Sequence, residues 1–146
     1  MRLYLDVCSI QRPLDDQSQL RVRLEGEAVT EVVNVCKAGG TELVSSDVLR
    51  FEIGRNPDEV RRAHADEVLA IAHVHQPLTP DIETRARVLE ALGLKPLDAL
   101  HVASAEAVGA VYFCTCDDRL LRRARSGVLP PMKAVSPLEL LTELGI

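Results

Sequence analysis

The 146-residue chain is 47% hydrophobic but only 3% aromatic, so its core must be built from Leu, Val, Ile and Ala. That composition suits parallel strands buried under helices better than an antiparallel sandwich, and the length fits a single domain over residues 1–146. A formal net charge of −5 excludes a protein that coats nucleic acid through an overall basic surface, although Arg61–Arg62 and the stretch from Arg119 to Arg125 leave local basic patches.

In chain order, Leu3 to Leu5 reads as a short apolar strand ending at Asp6. Pro13 and the polar group from Asp15 to Gln17 open a long helix to about Lys37, with an expected apolar stripe of Leu20, Leu24, Ala28, Val32 and Val35. Gly39–Gly40 stop it. Glu42 to Ser45 is a second strand, and Ser46 or Asp47 caps a short helix carrying Leu49, Phe51, Glu52 and Ile53. A helix from Pro57 to Ile71, a weak strand over Ala72 to His75 and a helix from Thr79–Pro80 to Gly93 follow. Pro96 opens the next helix, which runs to Gly109. Ala110 to Thr115 is the clearest strand, then come a helix from Asp117 to Arg125, a strand over Met132 to Val135 and a last helix from Pro137 to Leu144. Strands alternating with helices predict a three-layer α/β fold with a mainly parallel sheet.

The cysteines Cys8, Cys36, Cys114 and Cys116 have no zinc-site spacing and read as reduced thiols of a cytoplasmic protein. Nothing resembles a signal peptide, and the apolar runs are too short for a membrane span, so no membrane partner is expected.

In open parallel sheets, ligands sit beyond the carboxyl ends of the strands, where strand order reverses. Asp6 follows the first strand directly, and Asp117 and Asp118 follow the strand Ala110 to Thr115. If those strands are neighbours, Asp6 and Asp117 meet, and Glu52 and Asp98 can reach the same cleft from flanking helices. Taken one at a time, Asp98, Asp117 and Asp118 could be ordinary caps at helix starts, and Glu52 a solvated face residue. Asp6 is harder to explain as a cap, because the next expected helix begins about ten residues on. Clustered carboxylates repel unless a counter-charge joins them, and a hard divalent cation with oxygen ligands is the common solution. Spacing alone reaches a divalent-cation site and no further.

The segments Leu3-Tyr4-Leu5-Asp6, Ser46-Asp47-Val48-Leu49-Arg50-Phe51-Glu52, Leu97-Asp98-Ala99-Leu100-His101-Val102-Ala103-Ser104-Ala105 and Phe113-Cys114-Thr115-Cys116-Asp117-Asp118, in this order, resemble the PIN-domain family, specifically its VapC-like toxin branch. The resemblance implies a central five-stranded parallel sheet and Mg²⁺- or Mn²⁺-dependent RNA cleavage by activated water, leaving a 5′-phosphate. It places Asp6, Glu52, Asp98 and Asp117 in a catalytic quartet, with Asp6, Asp98 and Asp117 as metal ligands and Glu52 completing the pocket or orienting water. Thr115 matches the family's hydroxyl in its Thr-x-Asp motif and is expected to hold a carboxylate or phosphate, and Asp118 is an alternative to Asp117. A cognate antitoxin and a homodimer are the partners it implies; the helical hairpin from Asp47 to Ile71 either presents an apolar groove to the antitoxin or spends its hydrophobic residues on the core.

One departure stands out. The family carries Asn or Ser two residues after the first Asp; here that residue is Cys8, a poor partner for Mg²⁺, with Ser9 beside it as a substitute. Arg12, Arg50 and Arg119 are candidate phosphate contacts, against surface ion pairs as the plainer alternative. His101, one turn after Asp98, is an acid or base, or a packed histidine. Cys8 also motivates a competing class, a catalytically weak PIN-like module that binds RNA or protein. A haloacid-dehalogenase-like phosphatase is disfavoured, since Asp6-Val7-Cys8 is not Asp-x-Asp, and no P-loop pattern occurs.

Overall fold

The computed structural model describes residues 1–146. Five parallel strands, β1 (Arg2–Leu5), β2 (Glu42–Ser46), β3 (Val74–Gln76), β4 (Tyr112–Cys114) and β5 (Lys133–Val135), form one sheet in the order β3-β2-β1-β4-β5. Eight helices flank it: α1 (Val7–Gln11), α2 (Leu20–Lys37), α3 (Asp47–Gly54), α4 (Glu59–Leu69), α5 (Pro80–Ala91), α6 (Pro96–Ala107), α7 (Asp118–Gly127) and α8 (Pro137–Leu144). No helix is long and apolar enough to cross a membrane.

The central strands are apolar because helices cover both faces of the sheet. Leu3, Tyr4, Leu43, Val44 and Phe113 are wholly buried, and the Tyr4 and Phe113 rings stack at 5.6 Å. Turn chemistry follows the expected cues at most helix starts. Ser46 accepts the Leu49 N–H to begin α3, Asp58 caps α4, Thr79 caps α5, and Ser136 and Glu139 form a reciprocal capping box on α8. The third strand starts two residues later than expected and ends one later, and the fourth is shorter than the apolar run Ala110 to Thr115.

Two expectations fail near the start of the chain. Asp6 is followed at once by α1, and Arg12–Leu14 form a 3₁₀ turn, so α2 begins only at Leu20. The stripe on α2 is also out of register in its first half. Leu20 and Leu24 are exposed, whereas Val22, Glu25, Val29, Val32 and Cys36 are buried. The reason is electrostatic: Glu25 turns inward to take the Arg12 guanidinium, at 2.8 Å from Nη2 and 3.2 Å from Nε. The 3₁₀ turn presses so close that a Cβ on Gly26 would lie 3.3 Å from Pro13 Cα, and only glycine fits without displacement.

The chain leaves β1 outward through β2 and β3, then crosses back to place β4 on the other side of β1. Strand order therefore reverses between β1 and β4, paired Leu3 with Tyr112, Tyr4 with Phe113 and Leu5 with Cys114. That crevice is the ligand position of open α/β sheets. Truncating the buried ring beneath it, Phe113→Ala, is expected to cost about 3–5 kcal/mol of stability; urea unfolding measures this, and a loss under about 1 kcal/mol would mean the strand pair is not packed as described.

Candidate active site

Asp6 enters the crevice because its backbone is still tied to the sheet, its N–H donating to the Cys114 carbonyl at 3.1 Å. Its side chain caps α1: Oδ1 accepts the Ser9 N–H at 3.1 Å and the Cys8 thiol at 3.0 Å. Contrary to expectation a helix does need Asp6 as a cap, since the short α1 starts on it. Burial pushes the Asp6 carboxyl above its ordinary range, while the Cys8 thiol, the Thr115 hydroxyl and the Ser9 amide pull the other way.

Thr115 steadies both sides of the crevice. Its hydroxyl accepts the Asp117 N–H at 3.1 Å, lies 3.5 Å from Cys8 Sγ, and lowers the Asp6 carboxyl. Asp117 caps α7, Oδ1 accepting from Arg119 N at 2.9 Å and Leu120 N at 3.2 Å. Its neighbour Asp118 is turned away and bound by both terminal nitrogens of Arg21, at 2.7 and 2.8 Å, which hold its carboxyl below the usual range. Of the two, Asp117 lines a depression with Asp98, Lys95, Arg119 and Arg123.

Asp98 sits in the first turn of α6, where Lys95 is the N-cap and no side chain bonds the free amides. It is therefore not a cap. Its carboxyl is raised, first by burial and next by Asp6, with Asp117 and Glu52 adding to the repulsion. Glu52 is half-buried and bonded through Oε1 to His101 Nε2 at 2.7 Å. Asp6, Glu52 and Asp117 thus all act on Asp98, although no three His, Cys, Asp or Glu side chains close into a coordination shell. The two observations agree, because charges interact over several ångströms while a metal–oxygen bond spans about 2 Å. An all-oxygen donor set whose central member is repelled by three others fits a hard divalent cation. Cys8 does not compete for such an ion. Contact with Cys116, burial and the adjacent Asp6 push its thiol up and keep it a neutral donor.

Three other candidates are placed differently. Ser9 does not stand in for the residue at Cys8: its hydroxyl is wholly buried and donates to the Cys114 carbonyl at 3.1 Å. Arg12 is held by Glu25 and, at 3.2 Å, Asp15, and Arg50 by Asp66 at 3.2 Å, so the ion-pair alternative describes both. Of the three candidate arginines, Arg119 alone lies beside the acids. Sequence reasoning missed Lys95 and Arg123 there. The signals were present, since Lys95 precedes the helix-opening Pro96 and Arg123 lies one turn beyond Arg119 on α7.

The PIN domain family model matches residues 11–126 of this sequence. The chain belongs to the PIN domain family. The match begins after Asp6, so the first acid is placed by the β1–β4 pairing rather than by the match. Among solved structures, VapBC2 from Rickettsia felis bound to a DNA fragment from its promoter is similar, with a TM-score of 0.59 and 12% identity over 93% of this chain and 98% of that one. PAE2754 from Pyrobaculum aerophilum is similar with a TM-score of 0.57 and 18% identity over 99% of this chain and 90% of the other. At such identities the likeness concerns the fold. No curated protein sequence matches the chain.

The raised Asp98 carboxyl has a consequence for stability. Where the folded chain still holds a proton that the unfolded chain has released, stability falls as pH rises, through the interval between the ordinary carboxyl value and the raised one. Asp98→Asn removes that loss. In chelator, the Tm difference between variant and native chain is expected to move in favour of the variant as pH climbs from 4 to 7, about the range in which a raised carboxyl ionises. Melting curves that stay parallel across this range would show that Asp98 carries no such burden.

Proposed function

We propose that this PIN domain is a Mg²⁺- or Mn²⁺-dependent endoribonuclease that hydrolyses RNA phosphodiesters, the toxin half of a VapC-like toxin–antitoxin pair working in the cytoplasm. The observation that carries it is the repulsion of Asp98 by Asp6, Asp117 and Glu52 at the switch point of the sheet. Asp6, Asp98 and Asp117 would hold the cation, with Glu52 completing the pocket or orienting water. Bound there, the cation supplies an acidified water and offsets charge developing on the phosphate. The chain's own part is positional. Thr115 sets the spacing of Asp6 and Asp117, and α7 holds Asp117 by two amides. Arg119, with Lys95 and Arg123 on the rim of the same depression, would take the substrate's phosphates, since none of them is spent on a carboxylate within the chain. The toxin reading draws support from the similarity to VapBC2, which was captured with promoter DNA; an antitoxin and a second copy of this chain are the partners proposed.

Incubated with a mixed RNA pool, the native chain is expected to cut in Mg²⁺ or Mn²⁺ and to stop in excess EDTA. Asp6→Asn and Asp117→Asn should each lower kcat by about 10²–10⁴-fold, and Arg119→Ala should raise KM more than it lowers kcat. Cleavage that persists in EDTA, or at native rate in Asp6→Asn, would overturn the proposal.

Cys8 favours a second reading, a catalytically weak RNA- or protein-binding module, because its thiol occupies Asp6 Oδ1. Calorimetry decides between them: Mn²⁺ binding to the native chain that Asp98→Asn abolishes supports the nuclease, and a folded chain that binds no Mn²⁺ supports the module.

A further inference from the structure

Beneath the acids runs a line of short, buried hydrogen bonds. Ser46 Oγ lies 2.8 Å from Tyr4 Oη, Tyr4 Oη lies 2.7 Å from His101 Nδ1, and His101 Nε2 lies 2.7 Å from Glu52 Oε1. Ser46 and Tyr4 have no exposed surface and His101 has 1%. Each member comes from a different element: Ser46 ends β2, Tyr4 lies in β1, His101 in α6 and Glu52 in α3.

The protons in this line can be assigned. The Glu52 carboxylate can only accept, so His101 Nε2 donates to it, and Nδ1 of a neutral ring is left to accept from Tyr4 Oη. With its own proton used on Nδ1, Tyr4 accepts from the Ser46 O–H, whose oxygen also takes the Leu49 N–H at 3.0 Å. The reverse order in a neutral histidine would set two acceptors, Nε2 and Oε1, against each other at 2.7 Å. Ring packing resists disorder, because the Tyr4 and His101 rings meet edge to face at 5.8 Å while Phe113 stacks on Tyr4 from the strand beside it.

We infer that Tyr4 and His101 are positioning residues, a relay anchored on Ser46 that fixes the tautomer of His101 and through it the orientation of Glu52. Glu52 sits on a short helix beside exposed Phe51, with a side chain about one-third accessible, and the bond to His101 is the only one recorded for its carboxylate. Without that bond it would sample several rotamers. With it, Oε1 is occupied and Oε2 keeps no hydrogen bond within the chain. The inference rests on the nuclease reading for the use made of Glu52, though not for the relay itself.

Two measurements test it on the full chain. Long-range ¹H–¹⁵N NMR correlation of the His101 ring is expected to show a neutral imidazole protonated at Nε2 in the native chain, and a shift of the proton population toward Nδ1 in Tyr4→Phe. Kinetically, His101→Leu should lower kcat about 10- to 100-fold, the range found for groups that orient a site's ligands, with KM nearly unchanged. His101→Gln, whose amide can still donate to Glu52, should recover most of that loss. A native ring protonated at Nδ1 would overturn the relay, as would a Tyr4→Phe chain with unaltered tautomer and kcat. So would Gln and Leu variants that fold and are equally impaired. A native chain that cuts no RNA yet shows the Nε2 tautomer shifting in Tyr4→Phe would defeat the nuclease reading and leave the relay standing.

Discussion

The architecture turns on keeping several carboxylates ionised near one another at the mouth of a parallel sheet. Ending β1 on Asp6 and turning into α1 buries a carboxylate, and burial pushes its pKa up. The chain answers with donors rather than cations: an amide, a thiol and a hydroxyl surround Asp6, and none carries a charge that would cancel the field. Cys8 is one of these donors, a short side chain whose thiol donates to the first acid. A neutral thiol performs that role without ligating a hard cation.

Elsewhere the protein deals with its acids in the opposite manner. Asp118, Arg21, Glu25, Arg12, Asp15 and Arg61 form one alternating line of ion pairs at the edge of the site, in which each acid is matched by arginine. Most of these pairs are partly exposed and individually weak. Their effect is one of sorting. Arginines that could have neutralised Asp6 or Asp98 are engaged elsewhere, and Asp117 is separated from Asp118 by which of them meets Arg21. Among the cations without a carboxylate partner, Lys95, Arg119 and Arg123 border the depression where an anionic substrate would lie.

This sorting explains what could be read from the sequence and what could not. Strand–helix alternation and the Pro and Gly boundaries follow from local cues, and with them Asp6 and Asp117 just beyond strand ends; that β1 and β4 are neighbours stood in the sequence only as a condition, which the sheet meets. Local cues failed where distant charge decided the matter. The stripe of α2 slipped because Arg12 draws Glu25 inward, and α1 escaped notice because Val7 to Gln11 is too short to show a period. Arg12 and Arg119 looked alike as candidates; only the fold reveals that one is matched and the other is not. Tyr4 was legible as core and His101 as a packed histidine, but the bond between them spans 97 positions of sequence and left no local trace.

A site assembled from charge repulsion cannot rely on its own acids to hold still. Asp6 is tied to α1, and Asp117 is tied to α7, so both are located by helix termini that the backbone must form in any case. Glu52 has no such anchor, being in the interior of α3 with solvent on one side. Its restraint therefore has to come through side chains, and the path through His101 and Tyr4 ends on Ser46, itself the cap that starts α3. The helix that carries Glu52 and the relay that orients it thus begin from the same hydroxyl. Displacing Ser46 would loosen both together, which ties the placement of a half-buried acid of the quartet to a fully buried hydroxyl.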